Sequence, residues 1–155
     1  MNTLSFLLSV IQLFEEAELP VWVFGGWAEE VWQITPKRRH KDIDFLYPAA
    51  AFERLDRFIA QTKDLREIQS KRFSHKRAIL YQDIMIEFLL VQGADGNYFT
   101  DFFSGRYQLA WPTDIVCYKV NPRRNIRIAS PQALAMYREN HERVEQAYQD
   151  FLTTC

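Results

Sequence analysis

Val21-Trp22-Val23-Phe24-Gly25-Gly26-Trp27-Ala28, followed after a basic stretch by Arg38-Arg39-His40-Lys41-Asp42-Ile43-Asp44-Phe45-Leu46-Tyr47, is the part of this 155-residue chain whose reading decides the rest. Residues 21–24 are β-branched and aromatic and stop at two glycines, which reads as a short buried strand delivering the chain to a helix start. That helix is expected over residues 27–34, because Thr35-Pro36 breaks it. Residues 42–47 read as a second strand, closed by Pro48. Residues two apart on a strand face the same way, so the Asp42 and Asp44 carboxylates project together while Ile43 points into the core.

Two parallel carboxylates repel each other unless positive charge sits between them. A divalent cation answers that need, and Mg²⁺ prefers a few carboxylate oxygens completed by waters and substrate phosphates. Two such ions about 3.5–4 Å apart would clamp the attacking and leaving oxygens of a phosphoryl transfer. Glu87 is the candidate third carboxylate. It lies in the middle of Ile84-Met85-Ile86-Glu87-Phe88-Leu89-Leu90, where an ionised group needs a partner. If that strand neighbours the one carrying Asp42 and Asp44, Glu87 reaches the same ions and can accept the proton of an attacking hydroxyl. The structural alternative is a salt bridge from Glu87 to Arg77. Gly25 and Gly26 let a polyanion approach the backbone, and free N–H groups at a helix start favour phosphate.

Outward from this centre, Thr3 is the expected N-cap of a helix with Leu4, Leu7, Leu8, Ile11 and Phe14 on one face. Residues 49–62 form an amphipathic helix with Phe52, Leu55, Phe58 and Ile59 inside. Residues 77–81 turn through Gln82-Asp83 into the strand at 84–91. Residues 93–105 read as a loop, with Tyr98, Phe99, Phe102, Phe103, Tyr107 and Trp111 as an acceptor pocket, a dimer contact or core anchors. Strands are expected near 115–120 and 125–128. Ser130-Pro131 opens a single C-terminal helix over about 130–153. His75 and His141 read as surface residues. Lys71, Arg72, Lys76 and Arg77 form a basic cluster that either extends phosphate binding or solvates an edge strand.

A composition of 48% hydrophobic and 25% charged residues excludes disorder and fits one globular domain over residues 1–155. Nineteen basic against twenty acidic residues, a net charge of −1, argues against general nucleic-acid binding. Residues 1–19 have no cation ahead of their apolar run and end in Glu15, Glu16 and Glu18, so they do not read as a signal peptide. No run approaches the ~20 apolar residues of a membrane span. Cys117 and Cys155 make no metal or redox spacing, and a reducing cytoplasm is the expectation.

The Gly25-Gly26-Trp27-Ala28 start, the Arg38-x-His40-x-Asp42-x-Asp44 run and the later Glu87 resemble the DNA polymerase β-type nucleotidyltransferase superfamily. Within it they are similar to the small lincosamide and aminoglycoside 2″-O-nucleotidyltransferases. The resemblance implies an α+β fold, a mixed twisted sheet with helices packed mainly on one face. It implies transfer of AMP from ATP to a hydroxyl of a small molecule, an aminoglycoside or a lincosamide, with release of pyrophosphate. Asp42, Asp44 and Glu87 would hold Mg²⁺, as two ions, with Glu87 also a possible base. Gly25, Gly26 and Arg38 would face the triphosphate, and His40 would orient a carboxylate or touch phosphate. The implied partners are a nucleoside triphosphate and the acceptor, in a monomer or homodimer. Asp95, Asp101 and Asp114 are available as walls for a polycation, whereas a lincosamide would suit the aromatic segment. The rival readings are a minimal enzyme modifying protein or tRNA, and a non-catalytic nucleotide-binding module.

Overall fold

A computed structural model describes residues 1–120 and 125–154; Cys155 lies outside them. Helix α1 (Leu4–Glu16) starts where Thr3 Oγ1 accepts the Phe6 N–H at 3.1 Å, and it buries Leu7, Leu8, Val10, Ile11 and Phe14. Strand β1 (Trp22–Phe24) runs straight into α2 (Gly25–Val31). This helix begins on the glycines themselves, two residues ahead of the expected Trp27, and Gln33 at φ +61° ends it before Thr35-Pro36 is reached. Strand β2 (Asp42–Pro48), helix α3 (Glu53–Gln61), strand β3 (Arg66–Glu67) and a 3₁₀ turn (Gln69–Lys71) follow. Then come β4 (Lys76–Tyr81), β5 (Ile84–Ala94), β6 (Asn97–Phe102), β7 (Tyr107–Ala110), β8 (Val116–Val120), β9 (Asn125–Ala129), α4 (Pro131–Glu139) and α5 (His141–Thr153).

The sheet is open and mixed, in the order β3-β4-β5-β2-β1-β9-β8, with the β6–β7 hairpin continuing from the far end of β5. Strands β2 and β5 are parallel, as are β1 and β9, and the other pairs are antiparallel. This is the α+β architecture expected from the sequence. Phe14 of α1 meets Phe88 at 5.2 Å, Phe58 of α3 at 5.6 Å and Phe45 at 6.2 Å, edge to face. Helices α1 and α3 therefore close the face of β2 that carries Ile43 and Phe45. Truncating a fully buried phenylalanine such as Phe14 would cost about 3–5 kcal/mol. Phe24 pairs with Asp44 across β1 and β2, on the opposite face, and there Tyr137 of α4 packs against it at 5.1 Å.

Besides the shifted start of α2 and the shorter α3, two larger departures from the sequence reading occur. Residues 93–105 are not a plain loop: β5 runs on to Ala94, and β6 returns to pair with it. Asp95 (φ +54°) and Gly96 (φ +81°) both take left-handed conformations, the two-residue turn whose twist matches a hairpin. The C-terminal helix is two helices. Ser130 caps the first, its Oγ accepting the Ala133 N–H at 3.0 Å. Asn140 then breaks the run, because its side chain competes with the backbone: Nδ2 donates to the Met136 carbonyl and Oδ1 accepts from the Tyr107 hydroxyl, each at 2.8 Å. Among the described residues, no helix is long and apolar enough to cross a membrane.

Candidate active site

Parallel pairing of β2 with β5 sets Asp44 directly opposite Glu87 and Ile43 opposite Ile86. Strand side chains alternate between faces, so the two isoleucines enter the core while the two acids meet on the other side. The same alternation excludes the Glu87–Arg77 salt bridge. On β4 it is Ala78 that pairs with Glu87, and Arg77, one residue along, points to the opposite face. There Arg77 binds Asp56 of α3 through Nε at 2.7 Å and Nη2 at 3.2 Å, and lies over the Phe52 ring at 4.4 Å. Glu87 Oε1 instead takes Lys71 Nζ at 3.0 Å and Lys76 Nζ at 3.2 Å.

Burial, the Glu87 carboxylate beside it and the nearby Asp42 push the Asp44 carboxyl up to about 7. Burial also acts to raise Glu87, but Lys76 and Lys71 outweigh it and hold that carboxyl below its usual range. Of the two, Asp44 is the weaker acid and Glu87 the stronger. Tyr137 closes the same pocket. Burial, with the charges of Asp44 and Glu87, pushes its phenol up to about 12, so it stays a neutral hydroxyl.

The glycines are packed against these groups. Gly25 has φ +60°, and a Cβ on it would stand 2.4 Å from Asp44 Oδ2, so only glycine fits both the turn and the space. A Cβ on Gly26 would stand 2.5 Å from Arg38 Nη2 and 3.2 Å from His40 Nδ1. The structure thus brings Gly25 to Asp44, and Gly26 to Arg38 and His40. Arg38 is exposed, as are Lys37, Arg39 and Lys41, while His40 is buried. The carboxylate that His40 touches is Glu30 of α2, at 2.9 Å, rather than Asp42 or Asp44. Its ring stacks on Trp27 with centroids 4.0 Å apart.

Three positioning residues escaped the sequence reading. Glu30 Oε1 accepts the Arg38 backbone N–H at 3.0 Å as well as facing His40, and so pins the basic stretch to α2. Burial raises the Glu30 carboxyl, but these two donors and the charges of His40 and Lys37 bring it below its ordinary value. Asn2 is buried, donates to the Asp42 carbonyl at 3.0 Å and accepts from Trp27 Nε1 at 3.2 Å, tying residue 2 to both β2 and α2. Tyr137 is the third. Asn2 and Tyr137 act across long sequence separations, whereas Glu30 reaches Arg38 and His40 eight and ten residues on.

Two hollows meet at Asp44. One, about 280 Å³, lies beside Gly25 and is bordered by Glu29, Leu134, Tyr137 and Arg138. The other, about 460 Å³, lies beside Glu87 under α5. Asp44, Phe24, Tyr137 and His141 border both. His141 is exposed, as expected, but His75 is not: it is 4% exposed, inside the larger wall. His75 Nδ1 accepts the Phe103 N–H at 3.1 Å, and burial, with Lys76 nearby, pulls the imidazole down to about 4. Of the aromatic segment, Phe102 and Phe103 are buried and border the larger hollow. Trp111 donates to Thr100 Oγ1, and Tyr98 lies against Trp22.

All the candidate metal donors are carboxylate oxygens, a hard set that suits Mg²⁺. Among the described residues, no three His, Cys, Asp or Glu side chains gather as a ready metal cluster. The cationic neighbours of Glu87 are two lysines on flexible stems, which can withdraw when a cation arrives.

Asp44 thus stands opposite Glu87 on the next parallel strand and against Gly25 at the start of α2. Residues 6–132 match the aminoglycoside-2″-adenylyltransferase family, and the chain belongs to that family. It is thus an enzyme of the antibiotic-modifying nucleotidyltransferases. The fold is similar to that of the lincosamide antibiotic adenylyltransferase LnuA in its lincomycin-bound crystal structure (TM-score 0.69, 16% identity, 94% of this chain and 96% of that one). It is also similar to ANT(2″)-Ia in complex with adenylyl-2″-tobramycin (TM-score 0.62, 18% identity, 97% of this chain and 87% of that one). A third similar structure is a nucleotidyltransferase-fold protein from Thermotoga maritima (TM-score 0.57, 15% identity, 99% and 97% covered). A comparison with curated proteins found no match.

Proposed function

We propose that this enzyme transfers AMP from ATP to a hydroxyl of a small molecule and releases pyrophosphate. The observation that carries the reading is the position of Asp44. It stands at the junction of two hollows, against Gly25 on one side and Glu87 on the other. On this reading the nucleotide lies along the Gly25-Gly26 side, with Arg38 and the first N–H groups of α2 toward the triphosphate. The acceptor lies in the larger hollow, with its hydroxyl toward Glu87.

The acceptor oxygen attacks the α-phosphorus, the bond from that phosphorus to the bridging oxygen breaks, and pyrophosphate departs. Glu87, already ionised, takes the hydroxyl proton on its carboxylate. Asp42 and Asp44, with Glu87, would hold Mg²⁺, which when bound neutralises the phosphate oxygens around the reacting phosphorus. His40 acts at one remove: with Glu30 and Trp27 it fixes the stretch that carries Arg38. The absence of a basic excess favours a small acceptor over a nucleic acid.

The test is to incubate the protein with α-labelled ATP, Mg²⁺ and a panel of hydroxyl-bearing antibiotics, with protein and tRNA as controls. The expected outcome is Mg²⁺-dependent labelling of a small molecule with stoichiometric pyrophosphate. Label entering protein or tRNA alone would overturn the assignment.

A further inference from the structure

The two hollows share a boundary formed by Phe24, Asp44, Tyr137 and His141. On the adenylyl-transfer reading this boundary is where nucleotide and acceptor touch, so the α-phosphoryl group sits there. Such a group gathers charge on its oxygens, and fixed donors aimed at that charge stabilise it. Phe24 offers no polar atom, and the Asp44 carboxylate accepts. The basic side chains nearby are engaged, Lys71 and Lys76 with Glu87 and Arg138 with Glu29. Among the described residues, the donors on the shared boundary are the Tyr137 phenol and the His141 imidazole.

These two are held differently. The His141 side chain is 56% exposed and stands 3.7 Å from Glu145. Tyr137 is clamped: its ring meets Phe24 edge to face at 5.1 Å, lies parallel to Trp111 at 6.2 Å and has Phe102 at 6.4 Å. Among the described residues its hydroxyl has no hydrogen-bond partner. The Tyr107 hydroxyl, by contrast, is bound to Asn140 at 2.8 Å. The charges of Asp44 and Glu87 both act on the Tyr137 phenol, which sets its oxygen on their side of the ring. A rigid ring presenting a free O–H needs no reorganisation when charge develops beside it. Tyr137 lies beyond the residues 6–132 that match the family.

We propose that Tyr137 is a catalytic hydrogen-bond donor, its hydroxyl binding a non-bridging oxygen of the phosphoryl group held where the two hollows meet. The identity of that group as the α-phosphoryl rests on the adenylyl-transfer reading. The phenol keeps its proton throughout. The proton of the attacking hydroxyl goes to Glu87, and the bridging oxygen leaves with pyrophosphate.

Tyr137→Phe keeps the ring and removes the oxygen alone, so circular dichroism and melting temperature should match the parent's. In calorimetric titrations with Mg²⁺, the variant should bind AMP about threefold or more weakly than the parent, and adenosine equally well, because only AMP brings the phosphoryl group. In single-turnover transfer from ATP, with lincomycin and tobramycin as acceptor probes, the variant should be slower by about tenfold or more. Each diastereomer of the α-thio analogue of ATP puts sulfur, a poor hydrogen-bond acceptor, in place of one non-bridging oxygen. For one of them the slowing by sulfur should be about threefold or more smaller in Tyr137→Phe than in the parent, since both changes remove the same bond. A variant that binds AMP and transfers as the parent does would overturn the inference and leave the transfer reading standing. Equal slowing by sulfur in parent and variant, for both diastereomers, would overturn it as well. A parent that prefers AMP to adenosine through Tyr137 but transfers nothing would keep the donor and remove the transfer reading.

Discussion

Lys71-Arg72 and Lys76-Arg77 are two neighbouring basic pairs, and the fold splits each of them. The arginines go to Asp56: Arg77 makes a two-point fork, and Arg72 adds a contact at 3.1 Å while also holding Glu67. The lysines go to Glu87. A planar guanidinium that forks onto a carboxylate makes a permanent fastening between α3 and β4. An ammonium on a flexible stem is a charge that can be withdrawn. One network fastens a helix to the sheet, and the other offsets the charge of Glu87. Side-chain alternation along β4 sorts Lys76 from Arg77, while Lys71 and Arg72 part at the end of the 3₁₀ turn that precedes it.

The largest expected effect tests the second network. Asp44→Asn should reduce transfer by about 10³-fold or more, equivalent to about 4 kcal/mol of transition-state stabilisation. Its melting temperature should equal or exceed the parent's, since repulsion with Glu87 and Asp42 is relieved. Transfer at the parent's rate would remove Asp44 from the reaction.

Acid pH separates the two regions by sign. His75 falls from an ordinary 6.5 to about 4 in the folded protein, so its contribution is complete above pH 6.5 and is lost as pH drops toward 4. The loss amounts to about 3 kcal/mol. Asp44 is raised from 3.8 to about 7, so its share of stability is present below 3.8 and disappears as pH rises through 7. Denaturant titrations across this range, on His75→Gln and Asp44→Asn without divalent cation, should each lose one of the two opposing slopes. A parent pH profile unchanged in His75→Gln would refute the first assignment.

Arg77→Ala should then cost about 2–3 kcal/mol of stability, because it strands Asp56 and uncovers Phe52, with little change in turnover of the folded fraction. Lys76→Ala should do the opposite, within about 0.5 kcal/mol in stability but altered in rate. Equal destabilisation by both would erase the distinction between the networks. The smallest contrast lies in the glycines. Gly25→Ala meets both a left-handed backbone and Asp44, whereas Gly26→Ala meets the movable end of Arg38 and the edge of His40. Thermal unfolding should therefore show Gly25→Ala lower than Gly26→Ala by about 1–2 kcal/mol.

The acid pair, the glycine start and Glu87 were readable because each is a local pattern with one physical cause. Alternation placed Asp42 with Asp44, an apolar run isolated Glu87, and a β-branched strand ended at Gly25. The interleaving of strands and helices leaves α/β and α+β both open, and the family resemblance selects α+β. Less readable were features decided across long separations. The burial of His75 depends on a hydrogen bond to Phe103, which arrives by way of a hairpin. That hairpin's Asp95-Gly96 turn is a local signal, but the aromatic residues around it point to several uses at once. Asn2 carries no signal without knowledge of what its segment lies against, forty residues along the chain.

The break at Asn140 has a bearing on ancestry. The nine residues of α4 lean on the glycine side of the pocket, and the thirteen of α5 roof the aromatic side. A hinge of one asparagine, anchored by Tyr107, divides them. Substitutions at Val144, Glu145 or Tyr148 of α5 would therefore redraw the roof alone, since none of the three borders the smaller hollow.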